Sequence, residues 1–332
     1  MRKFACFALV TLFANGALLV RGDDSSASMA AGGIQLRREA RISMEKERLE
    51  IGLDKVAVEF EFLNESDSDI TTEVAFQFPS YGHGANEESI TDVRKFHVWV
   101  EGKELQYETQ IRAMANGKDQ TKALRKFGID VVSLDADPSY DGIEEALSLS
   151  QQKEMFALGL IDKNQLPQWT VEKLSYWRQT FPAHKILHVR HEYTPATGFF
   201  PLEAGDLDLK RTHRPEQELE RVPDLYKQIE KACVDPGLRK SLGALDKPSN
   251  PVEMVWVDYV LTTANSWKTP IKDFTLVLDR PPVLESGKSR TFVSLCWDGP
   301  IVRLDADHFQ ARQTNFVPRK ELHVAFLSSS VN

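Results

Sequence analysis

The stretch "KVAVEFEFLNESDSDITTEVAFQFP", residues 55–79, constrains the fold more than any other part of this chain. Val56, Val58, Phe60 and Phe62 alternate with Ala57, Glu59 and Glu61. A polar turn, "NESDSD", follows, and Val74, Phe76 and Phe78 then resume the pattern before Pro79. Side chains of a strand point alternately to its two faces, so this spacing places one face on a core and the other in water. That is the signature of an antiparallel sheet, not of a buried parallel one. "FHVWVEGKELQYETQIRA" reads as a hairpin turning at Glu101-Gly102-Lys103. At least five strands joined by short polar turns between Gly33 and Ala113 suggest a β-sandwich.

The character changes after residue 116. In "GKDQTKALRKFGI", Asp119 is placed to cap a short helix and Gly128 to stop it. "DGIEEALSLSQQKEMFALGLI" follows, with Ile143, Leu147, Phe156 and Leu160 at helical spacing and Asp141 as its N-cap, and "NQLPQWTVEKL" reads as another short helical segment. Strands return at "YWRQTFPA" and "HKILHVRHEYTP". A charged stretch then leads into helical "DLYKQIEKACVDPGLRKSLGAL". Strands close the chain in "VEMVWVDYVLTTANSW", "IKDFTLVLDR", "TFVSLCWDG" and "ELHVAFL". The expected fold is mainly β (α+β), an antiparallel β-sandwich-like body in one or two sandwiches with helical inserts. The expected organisation is a signal peptide over 1–22, an N-terminal β-sandwich region over 23–116, a helical insert over 117–175 and a C-terminal β-rich region over 176–332 with a helical segment near 217–245.

The first 22 residues follow the plan of a secretory signal peptide. Arg2 and Lys3 precede a short apolar run from Phe4 to Val20, broken by Asn15-Gly16, and Val20-Arg21-Gly22 offers a cleavage site. An uncleaved anchor is the alternative, although the run is short for a span of about 20 residues. Cleavage would leave 38 basic residues against 49 acidic ones, or −11. Such a balance argues against nucleic acid or an anionic membrane surface as partner. No membrane span is expected after cleavage, and the mature chain is expected in the periplasm or outside the cell. Two cysteines would remain, Cys233 and Cys296. In an oxidising compartment their simplest state is a disulfide, with two buried thiols as the alternative.

Four features invite a chemical reading. Asn265-Ser266-Trp267 matches part of the stretch that orients the catalytic His of papain-like proteases. That chemistry needs a Cys, then a His, then the Asn along the chain. Cys233 lies in "EKACVDPGL", no His occurs between 214 and 264, and Lys268 follows Trp267 where the enzymes have Gly. Asn265 and Trp267 are therefore expected to be structural, at a bend whose indole packs back on the sheet. His188 and His191 are three apart in a strand, so they point to opposite faces and do not share a metal without a bulge. "DADPSYDGIEEALS" offers Asp137, Ser139 and Asp141, with Asp135 nearby, at the first positions of a calcium loop. Ser148 stands where the bidentate carboxylate belongs, so a polar turn is preferred to an irregular calcium site. Scattered carboxylates such as Glu192, Asp258 and Asp273 could form an acid/base pair, but none is assigned. No nucleophile elbow, phosphate loop, dinucleotide fingerprint or zinc motif is present.

"SSASMAAGGIQL", "NGKDQTKALRKFGI", "WRQTFPA", "HEYTPATGFF", "YVLTTANSWKTPIKDF" and "TNFVPRKELHVAF" occur in that order. Together they resemble the bacterial exported family catalogued as domain of unknown function 4424. The resemblance spans the mature chain and implies an exported protein of mixed α and β structure; it assigns no catalytic residue, cofactor or ligand. The leading expectation is a non-enzymatic binding or envelope-associated module without a cofactor, its partner an unidentified ligand or envelope protein. The rival is a secreted hydrolase with non-contiguous carboxylates. A cleft of several carboxylates with raised pKa would favour the enzyme, and an aromatic-lined groove would favour binding.

Overall fold

A computed structural model describes residues 25–30, 33–82, 94–132, 147–163, 165–202, 222–245, 252–281 and 289–330. The apolar start of the chain, Asp135, Asp137, Ser139, Asp141 and Ile143 lie outside them. Among the described residues no helix is long and apolar enough to cross a membrane.

In chain order the strands are β1 Ser25–Ala30, β2 Gly33–Arg37, β3 Ile42–Ile51, β4 Val56–Asn64, β5 Ile70–Gln77, β6 Tyr81–Gly82, β7 Arg94–Val100, β8 Lys103–Glu104, β9 Glu108–Ala115 and β10 Lys118–Asp119. They continue as β11 Thr170–Phe181, β12 Ile186–Thr194, β13 Thr197–Leu202, β14 Val252–Tyr259, β15 Ile271–Asp279, β16 Ser289–Ser294, β17 Val302–Arg303, β18 His308–Phe316 and β19 Leu322–Ser330. The helices are α1 Thr121–Lys126, α2 Leu149–Ala157, α3 Val222–Lys231 and α4 Pro236–Leu245.

The mainly β, sandwich-like reading holds. A first sheet of seven strands runs β10-β9-β11-β5-β1-β2, with β6 beside β11. A second of eight runs β17-β18-β15-β3-β4-β12-β7-β8, and a third of four runs β13-β14-β19-β16. The first and second sheets face each other across one core, where Phe62 meets Phe181 at 5.8 Å, Phe76 meets Phe96 at 5.3 Å and Trp177 meets His191 at 5.4 Å. The residues picked out by alternation, Val56, Val58, Phe60, Phe62, Val74, Phe76 and Phe78, are all buried there. The third sheet is a middle layer. Tyr259, Val324 and Phe326 point into the same core, while Val252, Met254, Ala325 and Leu327 point the other way, onto α3 and α4. A smaller core joins α1 and α2 to β9 and β11 through Leu124, Met155, Ala113 and Val171.

Strands from both ends of the chain share sheets: β12 pairs with β4, and β15 pairs with β3. The β15–β3 pair is parallel, the one departure from antiparallel order among the described residues, and nothing local in either strand announces it. The hairpin turns on two residues, Glu101 and Gly102, both in the left-handed region (φ 49° and 73°), and Lys103 already pairs with Val100. Such a turn matches the twist of its strands and suits Gly in the second position.

The helical insert corrects several expectations. Asp119 lies in β10 and the helix begins one residue past Gln120. Asp119 still contributes, because its carboxylate accepts the Thr121 N–H at 2.9 Å. Gly128 ends α1 as expected, with the Ile129 N–H reaching back to the Leu124 carbonyl. The described helix α2 begins at Leu149, capped by Ser148 in a reciprocal pair with Gln151. Phe156 is 57 % exposed, and Met155 takes the buried position instead. "NQLPQWTVEKL" is not helical: Ile161 bridges Pro167, and β11 starts at Thr170. The β-branched Thr170 and Val171 gain a full ladder with Met114 and Ala113 of β9, which outweighs the weak helical propensity of the segment.

Candidate functional site

Asn265-Ser266-Trp267 is held by long-range contacts. β14 stops at Tyr259, and Thr262–Ser266 forms a 3-10 turn. Glu321 fastens the start of this turn: its carboxylate accepts the N–H of Leu261 (2.6 Å), the N–H of Thr262 (3.0 Å) and the Thr262 hydroxyl (2.5 Å). Asn265 donates its amide to the Pro318 carbonyl at 2.8 Å. Trp267 is 1 % exposed and lies 4.6 Å from Phe62 and 5.9 Å from Phe181. The Asn side chain thus holds a loop, where a protease would have it orient a His. Cys233 and Cys296 form a disulfide with Cα atoms 4.9 Å apart, so neither is a nucleophilic thiol in this state. His188 and His191 fall on opposite faces of β12. His188 is exposed and bonded to Glu101, and His191 is fully buried among Phe60, Phe76, Phe96 and Trp177. Burial pushes the His191 imidazole down to about 3, so it is neutral at physiological pH.

The loop that Asn265 and Glu321 pin is one wall of a cleft of about 340 Å³. Its floor is aromatic. Trp297 stacks on Phe274 at 5.8 Å and meets Phe316 at 5.6 Å, and Leu261, Leu322 and Val317 complete the apolar lining. Polar groups converge on it: Asn315, Gln313, whose amide donates to the Asp298 carbonyl at 2.6 Å, and the cations Arg319 and Lys320. The indole N–H of Trp297 is enclosed and has no hydrogen-bond partner among the described residues. A buried indole donor is ordinarily satisfied, so this one is an exception. Arg319 and Lys320 are exposed and pair with no carboxylate among the described residues. The far wall is stitched to the turn that follows α3, through Cys296 to Cys233 and through the Ser294 hydroxyl, which donates to the Ala232 carbonyl at 2.9 Å. The cleft therefore joins segments around 261–265, 296–298 and 313–322, and sequence reading did not assemble it.

A second concavity, about 380 Å³, lies on the outer face of the second sheet. Cross-strand rows there alternate in charge: Arg48, Glu59, Arg190 and Trp99 in one row, and Asp273, Lys46, Glu61 and His188 in the next. Most of its charges are matched internally. Lys46 reaches Glu61 at 3.2 Å, Arg190 reaches Glu192 at 2.5 Å and lies 5.0 Å over the Trp99 ring, and His188 reaches Glu101. A ligand there would have to displace pairs already made.

Two His–carboxylate pairs went unnoticed in the sequence because their members are separated in it or lie in a turn. His323 of β19 is buried and its Nδ1 meets Asp258 of β14 at 2.6 Å, while its Nε2 is enclosed without a partner among the described residues. The Trp256 ring lies 5.7 Å from this imidazole and crosses Gly198, where a Cβ would fall 1.9 Å from the indole. His308 sits between Asp305 (2.9 Å) and Asp279 (3.6 Å). The hydrogen bond to Asp305 raises His308, and partial burial raises Asp279. Neither pair lines the two concavities. Among the described residues no three His, Cys, Asp or Glu side chains converge so as to hold a metal ion.

No curated protein matches the chain. Among solved structures, one from Legionella pneumophila described as a "putative nutrient binding protein" is 14 % identical, with a TM-score of 0.39 over 92 % of this chain and 72 % of that one. An M1 zinc metallopeptidase from Deinococcus radiodurans is 6 % identical, with a TM-score of 0.27 over 88 % of this chain and 43 % of that one. The model of the domain of unknown function (DUF4424) matches residues 22–325, nearly the whole length, and the chain belongs to that family.

Proposed function

We propose that this protein is an exported, non-enzymatic binding module of the cell envelope, and that the Trp297–Phe316 cleft is its ligand site. Export rests on the basic start, short apolar run and cleavage pattern of residues 1–22. The observation that carries the binding reading is the cleft itself: an aromatic floor with one enclosed, unsatisfied N–H and two cations at the rim. Concave, mostly apolar sites with a few convergent polar groups are the usual form of small-ligand sites. The complementary ligand carries a flat apolar group and an anionic end. Against the hydrolase stands the composition of the cleft, whose lining contains a single carboxylate, Asp298, among the described residues. The Asp258–His323 pair has the form of a base and its orienting carboxylate, yet among the described residues no hydroxyl or thiol hydrogen-bonds to its enclosed Nε2.

The test is a fluorescence and thermal-shift screen of aromatic carboxylates and phosphates against the full chain. A hit should raise the unfolding midpoint and change tryptophan emission, and Trp297→Phe should abolish the emission change. Esterase or peptidase activity lost on Asp258→Ala or His323→Ala, with no cleft ligand found, would replace the binding reading with the hydrolase.

A further inference from the structure

Resting on the reading of the cleft as the ligand site, we infer that its natural ligand is the C-terminal end of an extended peptide, added as a strand to the free edge of β17 with its terminal carboxylate in the cleft. Among the described residues β17 is the outermost strand of the eight-stranded sheet. Val302 pairs with Gln310, Arg303 with Phe309, and the Leu304 N–H donates to the His308 carbonyl at 2.9 Å. In an antiparallel ladder inward- and outward-facing main-chain groups alternate. With Leu304 bonded inward, the N–H and C=O of Ile301 and Arg303 face away from β18, where an added strand would meet them.

Such an edge is ordinarily blunted by shortness, charge, proline or cover, and β17 has some of this protection: it is two residues long, contains Arg303 and follows Pro300. Around that arginine it still carries apolar side chains in the open: Ile301 is 40 % exposed, Val302 58 % and Leu304 51 %. The same segment leads directly into the cleft, because Trp297, where it begins, meets Phe316 across β18. The chain bends at Asp298-Gly299, so Val302 lies no more than about 17 Å from Trp297, and a peptide of about six residues is long enough to span both. β17 runs away from the cleft, so a peptide ending in it lies antiparallel to β17. Its last side chain would rest on the Trp297–Phe316 floor and its carboxylate would meet Arg319 and Lys320, which lack carboxylate partners among the described residues. Main-chain pairing then supplies affinity, and the cleft supplies selectivity for a free carboxyl end.

The test uses the full chain and a pool of fluorescein-labelled octapeptides in which Val, Ile or Phe alternates with Ser or Thr before a C-terminal Phe. Affinities are read by anisotropy. Free-acid peptides are expected to bind, and amidating their C-terminus or introducing Arg319→Ala with Lys320→Ala to weaken them at least tenfold. Ile301→Pro, which removes an outward N–H but no ladder bond, should do the same, whereas Ile301→Ala should cost less than threefold. Circular dichroism checks that each variant folds. N-Acetylphenylalanine, read by Trp297 emission, separates the two levels of the claim. If it binds but the octapeptides bind no tighter and Ile301→Pro matches Ile301→Ala, the edge is not used and the peptide is overturned while the cleft stands. If the octapeptides bind equally well to Trp297→Ala and to the Arg319/Lys320 variant, the cleft reading falls. A concentration-dependent dimer dispersed by Ile301→Pro would assign the edge to a second copy of this chain and overturn the peptide.

Discussion

His191 gives the chain an acid sensitivity that can be worked out in advance. The side chain is 0 % exposed in the core between the first two sheets, against the rings of Phe60, Phe76, Phe96 and Trp177. Burial lowers its pKa from 6.5 to about 3. The folded protein therefore keeps it neutral where the unfolded chain protonates it. With the unfolded state binding the extra proton, stability must fall as pH drops through 6.5, and continue to fall until the folded pKa is reached. The limiting slope is about 1.4 kcal/mol per pH unit. Between pH 7 and pH 5 the loss from this one residue comes to about 2 kcal/mol. His191→Phe removes it at a position where an aromatic ring already fits. Urea unfolding of both proteins at several pH values from 7.5 to 5 measures the difference directly. Lowered carboxylates such as Glu39, held down by its hydrogen bonds from Arg41, also cost stability as pH falls through their folded values, but they are common to both proteins and cancel. The wild type should lose about 2 kcal/mol more than the variant over the interval. Parallel curves would show that the imidazole is not held neutral, and the reasoning from burial would fail.

Trp267→Ala should lower the unfolding free energy by about 3–5 kcal/mol through lost packing against Phe62 and Phe181 and a residual cavity; a urea series that finds less than 1 kcal/mol would contradict its burial. Asn265→Ala, which deletes the bond to the Pro318 carbonyl, should cost about 1 kcal/mol in the same measurement. Reducing the Cys233–Cys296 bridge, which spans 63 residues, should lower stability by about 4 kcal/mol in the chain-entropy description and loosen the Trp297 side of the cleft, so that acrylamide quenching of tryptophan emission rises; an unchanged unfolding midpoint would mean that the link is inert. Calorimetric titration with calcium should show no micromolar site at Asp135, Asp137, Ser139 and Asp141, and a tight single site would make those side chains the first to substitute.

What could be read in the sequence was what local pattern determines. Alternation in 56–78 named the core face of β4 and β5 because the period of a strand is a property of neighbouring residues. The start of β11 was misread because Thr170-Val171-Glu172-Lys173-Leu174 has no preference strong enough to resist whichever partner it finds, and the partner is β9, some 60 residues away. Ser148 and Gln151 did carry a readable capping signature, which the earlier aspartate obscured. The parallel β15–β3 pair and the Asp258–His323 contact are fixed by register between distant strands, so no local spacing could show them. The cleft lies between these cases. Its pinning residues, Asn265, Glu321 and Pro318, fall in segments that already stood out in the sequence, but only folding turns them into one wall.

Native mass spectrometry of protein purified without denaturation from its own host tests the ligand site most directly. The expected spectrum shows the chain from about Asp23 with an added anionic mass, and that mass is lost when Trp297→Ala or Arg319→Ala with Lys320→Ala is purified in the same way. An added mass retained at full occupancy by both variants would place the ligand elsewhere and contradict the assignment of the Trp297–Phe316 cleft.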